Sequence, residues 1–125
     1  MELNETLAER VEYISGQNVY LCYQCGKCSG DCPITDAMDF LPSTIIRMVQ
    51  LDDKDVLNAK APWKCQSCFM CTVRCPRGID VAKVMEAVRQ ITLRAGINAV
   101  DMTQVPDISE MPPIAIIGAS RKMQG

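Results

Sequence analysis

The sequence runs to 125 residues with thirteen basic and fifteen acidic side chains, a net charge of -2 and no histidine. That length fits one domain with a modest core, and the charge balance argues against a nucleic acid held on a basic face. No stretch approaches the ~20 apolar residues that cross a bilayer, which excludes direct membrane insertion by a helix, and neither a nucleophile-base pair nor a phosphate-binding glycine loop is visible.

In chain order, Leu3, Leu7, Val11 and Ile14 recur on one helical face, and Gly16 supplies a stop, which predicts an amphipathic helix within residues 2–15. The opening Met1-Glu2-Leu3-Asn4-Glu5 lacks the basic and apolar regions of an export signal, so a cytoplasmic location is expected. Asn18 to Leu21 then lead, in extended form, into the run Cys22-Tyr23-Gln24-Cys25-Gly26-Lys27-Cys28-Ser29-Gly30-Asp31-Cys32-Pro33.

Between Pro33 and Lys64 helical signals dominate. Leu41, Ile45, Met48 and Val49 share a face, and Pro42 is tolerable in a first turn. Asp52 or Asp53 can cap a short helix reaching about Asn58, and Ala61-Pro62-Trp63 leads into a second run, Cys65-Gln66-Ser67-Cys68-Phe69-Met70-Cys71-Thr72-Val73-Arg74-Cys75-Pro76. Asp80 is placed to cap a helix from Val81 to about Ala95, stopped by Gly96, with Val81, Val84, Met85, Val88 and Ile91 inward and Lys83, Glu86, Arg89 and Gln90 mostly outward. Beyond it, Val105-Pro106 and Met111-Pro112-Pro113 favour an extended backbone, and Ile114 to Ile117 reads as strand-like. The domain is therefore set at residues 1–98, with 99–125 an extended C-terminal tail expected to dock on a partner subunit.

The second run repeats the first at an offset of 43 residues in every cysteine and in the proline, and the two runs hold all eight cysteines. Each reads C-x2-C-x2-C-x3-C-P, the bacterial pattern for iron-sulfur clusters, in which the fourth cysteine ligates the other run's cluster. Carried onto this chain, one site is Cys22, Cys25, Cys28 and Cys75, and the other is Cys65, Cys68, Cys71 and Cys32. The cofactors expected are two [4Fe-4S] clusters, with all eight cysteines as iron ligands and no catalytic residue. Two four-cysteine zinc sites would also use C-x2-C pairs, but explain the paired runs of four with their prolines less well.

Proline after each fourth cysteine keeps that cysteine out of helix. Gly26, Gly30 and Gly78 allow backbone close to inorganic sulfur or in tight turns. Lys27, Lys64, Arg74 and Arg77 flank the ligands and can offset cluster charge, and Met70 is the methionine expected at a cluster.

The segments Tyr20-Leu21-Cys22-Tyr23-Gln24-Cys25-Gly26-Lys27-Cys28, Ile46-Arg47-Met48-Val49-Gln50-Leu51 and Trp63-Lys64-Cys65-Gln66-Ser67-Cys68-Phe69-Met70-Cys71 resemble the small iron-sulfur subunit (the C subunit) of heterodisulfide reductase over about residues 18–96. The resemblance implies a mainly α fold, an α-helical ferredoxin domain with two [4Fe-4S] clusters. It also implies an electron-transfer subunit of an oxidoreductase complex. Its neighbours there would be a flavin-bearing A subunit, the site of bifurcation, and the catalytic B subunit, which reduces the CoM-S-S-CoB heterodisulfide of methanogenesis. A hydrogenase or formate dehydrogenase module joins some such complexes. The Cys-Cys-Gly cluster motif of the catalytic subunit is missing from this sequence, so the substrate site is expected on another chain. A free-standing two-cluster ferredoxin, or the equivalent subunit of a related bacterial complex with another acceptor, is the alternative.

Overall fold

The computed structural model describes residues 5–96 and 98–124. Leu3, first of the N-terminal apolar series, lies outside them. Helices and turns account for every regular element among the described residues, with no strand, as the mainly α reading requires. The chain divides into two compact units, Met1–Arg89 and Gln90–Gly125.

In the first unit, helix α1 (Leu7–Ser15) starts at a reciprocal cap: Thr6 Oγ1 accepts from Glu9 N at 3.3 Å, and Glu9 Oε2 accepts from Thr6 N at 2.8 Å. It ends at Gly16, whose φ of 71° suits a residue without Cβ. Asp52 Oδ1 accepts from Leu7 N at 2.7 Å, which ties α1 to the spacer between the cysteine runs.

Helix α3 (Pro42–Gln50), with Pro42 in its first turn, is the hub. It packs against α1, against helix α2 (Lys27–Asp31), and against the 3-10 turns Val19–Leu21 and Lys54–Asn58. Leu7, Val11, Val19, Ile45, Val49 and Val56 are each no more than 1% exposed at these contacts. Each such side chain contributes about 1.5–3 kcal/mol over leaving it in water, before the entropy of ordering it is subtracted.

Two local readings are refined. Asn18 caps a 3-10 turn at Val19–Leu21 where extended chain was expected, because its side chain accepts from Tyr20 N at 3.0 Å. Asp53 caps Lys54–Asn58 as expected, although that element is a 3-10 turn. Ala61–Lys64 forms the one-turn helix α4, and Met70–Arg74 forms α5.

Helix α6 (Val81–Arg94) opens where Asp80 Oδ1 accepts from Lys83 N at 3.2 Å, and Gly96 follows it at φ 76°. Val81, Val84, Met85, Val88 and Ile91 are buried as periodicity predicts. Arg89, read as outward, is a correction: it is 8% exposed, and its guanidinium Nη1 donates to Pro62 O at 2.6 Å. The hydrogen bond to a backbone carbonyl that α4 leaves unpaired explains why a cation is tolerated there.

In the second unit, Asp101 caps the turn Met102–Gln104, a second turn spans Ile108–Glu110, and Ala99 N donates to Met123 O at 2.7 Å. The extended, strand-like conformation expected around Ile114–Ile117 is overturned: Pro113–Met123 is helix α7. Pro113 occupies the first helical position, where the missing N–H costs nothing. Arg121 and Lys122 lie in the last turn, where cations favour the helix dipole. The paired prolines thus start a helix in place of an extended strap.

Candidate metal centre

The 43-residue repeat of the sequence is also a repeat of backbone. Gln24 and Gly26 are left-handed at φ 63° and 80°, and their counterparts Ser67 and Phe69 are left-handed at φ 53° and 63°. Each loop feeds a five-residue helix, α2 or α5, and each helix ends on its fourth cysteine in extended conformation, Cys32 at φ -71°, ψ 121° and Cys75 at φ -66°, ψ 116°. Both loops thus place left-handed residues two apart, and left-handed residues alternating with right-handed ones turn successive N–H groups to one side, a concavity suited to anions, iron-sulfur centres among them.

Glycine makes the left-handed step inexpensive at position 26, as expected. Phe69 takes the same step with a full side chain, at about 1–2 kcal/mol. Gly78 is also left-handed, at φ 71°, whereas Gly30 lies inside α2 and needs no positive φ.

Helices α2 and α5 pack on one another, and Arg74 Nε lies 3.6 Å from Asp31 Oδ2 across that contact. Each cluster loop is also fastened to the helix that follows it. Ser29 Oγ accepts from Ser43 N at 3.1 Å and lies 2.7 Å from Ser43 Oγ, at the start of α3. At the position equivalent to Ser29, Thr72 Oγ1 donates to Asp80 Oδ1 at 2.9 Å, at the start of α6.

One cavity, partly open to solvent, is lined by Cys32 of the first run together with Cys65, Cys68 and Cys71 of the second. Phe69, Met38, Val81, Ala82 and Met85 supply its apolar wall. Met70, expected at a cluster, is not part of this wall and is 45% exposed at the head of α5; Met38 and Met85 are the methionines present. Asp39 positions the chain ahead of Cys65, its Oδ2 accepting from Lys60 N at 2.8 Å and its Oδ1 from Ala61 N at 2.9 Å.

In the first loop, Cys28 lies close to Cys22 and Cys25. Burial pushes the Cys28 thiol up, bonds with Ser29 oppose this, and Cys22 and Cys25 add to the rise. Burial likewise raises the Cys71 thiol; Thr72 lowers it, and Cys65 and Cys28 raise it further. A thiolate is thus disfavoured at both positions until a cation replaces the proton, which is the coupling expected of metal ligands. Cys75 caps α5, and two residues later Arg77 Nε donates to Leu21 O at 3.1 Å, next to Cys22. Gln50 fixes the same approach, its Nε2 donating to Val19 O at 2.7 Å and Cys22 O at 3.1 Å.

Of the four flanking cations, Arg74 is offset by Asp31, Arg77 holds backbone, and Lys27 and Lys64 are exposed. Among the described residues, no three Cys, Asp or Glu side chains converge as ligands of a single ion would. Thiols ringing a cavity suit a cluster that takes one thiolate per iron corner. No helix of the described residues is long and apolar enough to cross a membrane.

Residues 18–79 match the 4Fe-4S dicluster domain family, whose span takes in both loops and the spacer. The paired cysteine loops and this match make residues 18–79 an iron-sulfur region of the α-helical type, similar to a 4Fe-4S dicluster domain. The iron-sulfur C subunit of CoB--CoM heterodisulfide reductase from Methanopyrus kandleri is 35% identical over 99 residues, covering 78% of this chain and 50% of that protein. The C subunit of the ferredoxin:CoB-CoM heterodisulfide reductase of Methanosarcina acetivorans is 29% identical over 108 residues, 86% of this chain and 44% of the relative. An Archaeoglobus profundus protein, named as similar to the C subunit of heterodisulfide reductase, is 30% identical over 92 residues, 72% and 49%. Within that class, the chain is similar to the C subunits of heterodisulfide reductases, and it spans about half the length of the curated relatives it matches.

Proposed function

We propose that this chain carries electrons through two [4Fe-4S] clusters within a heterodisulfide reductase complex, making and breaking no substrate bond itself. When bound, each cluster supplies a one-electron acceptor whose potential is set by charge, hydrogen bonds and burial. Cys22, Cys25, Cys28 and Cys75 hold one, and Cys65, Cys68, Cys71 and Cys32 hold the other. The observation that carries this reading is the cavity at which Cys32 meets the three thiols of the opposite run. The Arg77 bond to Leu21 supports the reciprocal approach of Cys75 to the first loop.

The donor is the flavin-bearing A subunit, which also holds iron-sulfur centres, and the acceptor is the catalytic B subunit, which reduces the CoM-S-S-CoB heterodisulfide. That step draws on the relatives, named for CoB-CoM heterodisulfide reductases, one of them for hydrogen or formate as reductant. A hydrogenase or formate dehydrogenase module in the same complex would supply the reductants that this name carries. Residues 99–125 dock on a partner subunit; Ile114 and Ile117, 81% and 54% exposed on α7, support this.

The test is anaerobic purification with iron and sulfide analysis, followed by EPR of single cysteine variants. About eight irons per chain are expected from two four-iron clusters. Cys32→Ser is expected to alter the same cluster signal as Cys68→Ser and to leave the signal altered by Cys25→Ser. A Cys32→Ser change that follows Cys25→Ser, or zinc in place of iron, overturns the assignment.

A further inference from the structure

The two loops share a backbone, and in the first one side chain folds back onto a ligand. Gln24, left-handed at φ 63°, directs its own N–H to Cys22 Sγ at 3.4 Å. Its carboxamide folds back so that Nε2 donates to Cys22 Sγ at 3.3 Å and to Ser43 O at 3.0 Å. The orientation of the amide is fixed by chemistry: a carbonyl only accepts and a thiolate accepts, so the NH2 group must face both.

The anchor for this amide is firm, because Ser43 is itself held by Ser29 through two hydrogen bonds at the head of α3. One carboxamide hydrogen is spent on the α3 backbone and the other is presented to sulfur. At the equivalent left-handed position of the second loop stands Ser67, φ 53°, whose single-carbon side chain carries a hydroxyl and no carboxamide. The repeat therefore keeps the loop and changes this side chain.

We propose that Gln24 sets the reduction potential of the first cluster, acting as a positioning residue through Cys22. This rests on the two-cluster reading above. Adding an electron increases negative charge on the ligating sulfur, and a fixed N–H donor stabilises that charge more in the reduced state than in the oxidised one. The carboxamide thus raises the potential of this site and leaves that of the other loop alone. Its bond to Ser43 keeps the donor aimed in both oxidation states, so little reorganisation accompanies electron transfer.

The experiment is an EPR-monitored redox titration of the anaerobic full chain beside Gln24→Met, which keeps the length of the side chain and removes the donor. The first-cluster signal is identified as the one altered by Cys25→Ser. The expected result is a shift of the first midpoint to more negative potential, an unchanged second midpoint and unchanged iron content. An unshifted first midpoint at about eight irons per chain overturns the role of Gln24 and leaves the two-cluster reading standing. A wild-type chain without reducible clusters overturns both. Should Gln24→Met lose its cluster, ENDOR of wild-type protein labelled with 15N in its glutamine side chains decides: coupling to the first cluster supports the proposal, and its absence overturns it.

Discussion

Replacing Asp39 by alanine removes the tether that sets α4 ahead of Cys65. Its carboxylate accepts from Lys60 N, Ala61 N and Phe40 N at 2.8, 2.9 and 2.9 Å. The Lys60 and Phe40 amides belong to exposed residues and can turn to water, whereas Ala61 is fully buried. The loss is then close to that of one helix cap plus one poorly satisfied donor, about 1–2 kcal/mol. That corresponds to about 5–30-fold in a local opening equilibrium. Hydrogen exchange of the segment 60–68 in anaerobic protein reads this directly, with exchange in Asp39→Ala faster by that factor and α1 unchanged.

The same carboxylate has a pH signature. Partial burial disfavours its charge, but the Lys60, Ala61 and Phe40 amides outweigh burial and hold it below the usual carboxylate range. A depressed folded value means that the contribution is complete above the unfolded pKa of about 3.9 and fades as pH falls through the folded one. The ratio of exchange rates between variant and wild type is therefore expected to be equal at pH 7 and pH 5. Unchanged protection of the segment at pH 7, or acceleration spread equally over α1, would refute the tether.

Four further outcomes follow from other positions. Gly26→Ala forces Cβ onto a residue at φ 80°, and with open space around it the cost is conformational, about 1–2 kcal/mol in urea unfolding. Gly30→Ala, within α2 and equally open, is expected to stabilise by about 0.4–1 kcal/mol in the same assay, so the two glycines of one cysteine run respond with opposite sign. Ile45→Ala, at a fully buried position on α3, costs about 2–5 kcal/mol and is read by the thermal midpoint. Arg89→Met leaves Pro62 O without its donor and lowers stability by about 1–3 kcal/mol in urea unfolding, although it deletes a side chain that looked solvent-facing in sequence.

What was legible in the sequence was what local chemistry decides. The cysteine period announces two equivalent loops, Asp80 and Gly96 bracket α6, and Pro42 announces a first turn, since each acts within a few residues of itself. Phe69 was not legible, because a left-handed backbone is announced by glycine and the second loop has none at that position; only its alignment with Gly26 points to it. Arg89 escaped because periodicity ranks polarity and cannot foresee a carbonyl 27 residues away that will receive the guanidinium. Gln24 carries no such signal in the sequence, and only the folded loop brings its amide back to Cys22. The C-terminal helix was misjudged because Pro112-Pro113 serves equally to extend a chain or to begin a helix, and the β-branched run after it tipped the reading toward strand.

The seating of α2 upon α5 also bears on biosynthesis. Helix α2 cannot meet its neighbour until Arg74 has left the ribosome, and the Leu21 carbonyl waits for Arg77, 56 positions downstream. The early cysteines therefore emerge and remain exposed while the spacer is still being translated. Closure of the paired loops therefore waits for residues 74–77 to emerge, and the nascent chain needs its thiols kept reduced over that interval.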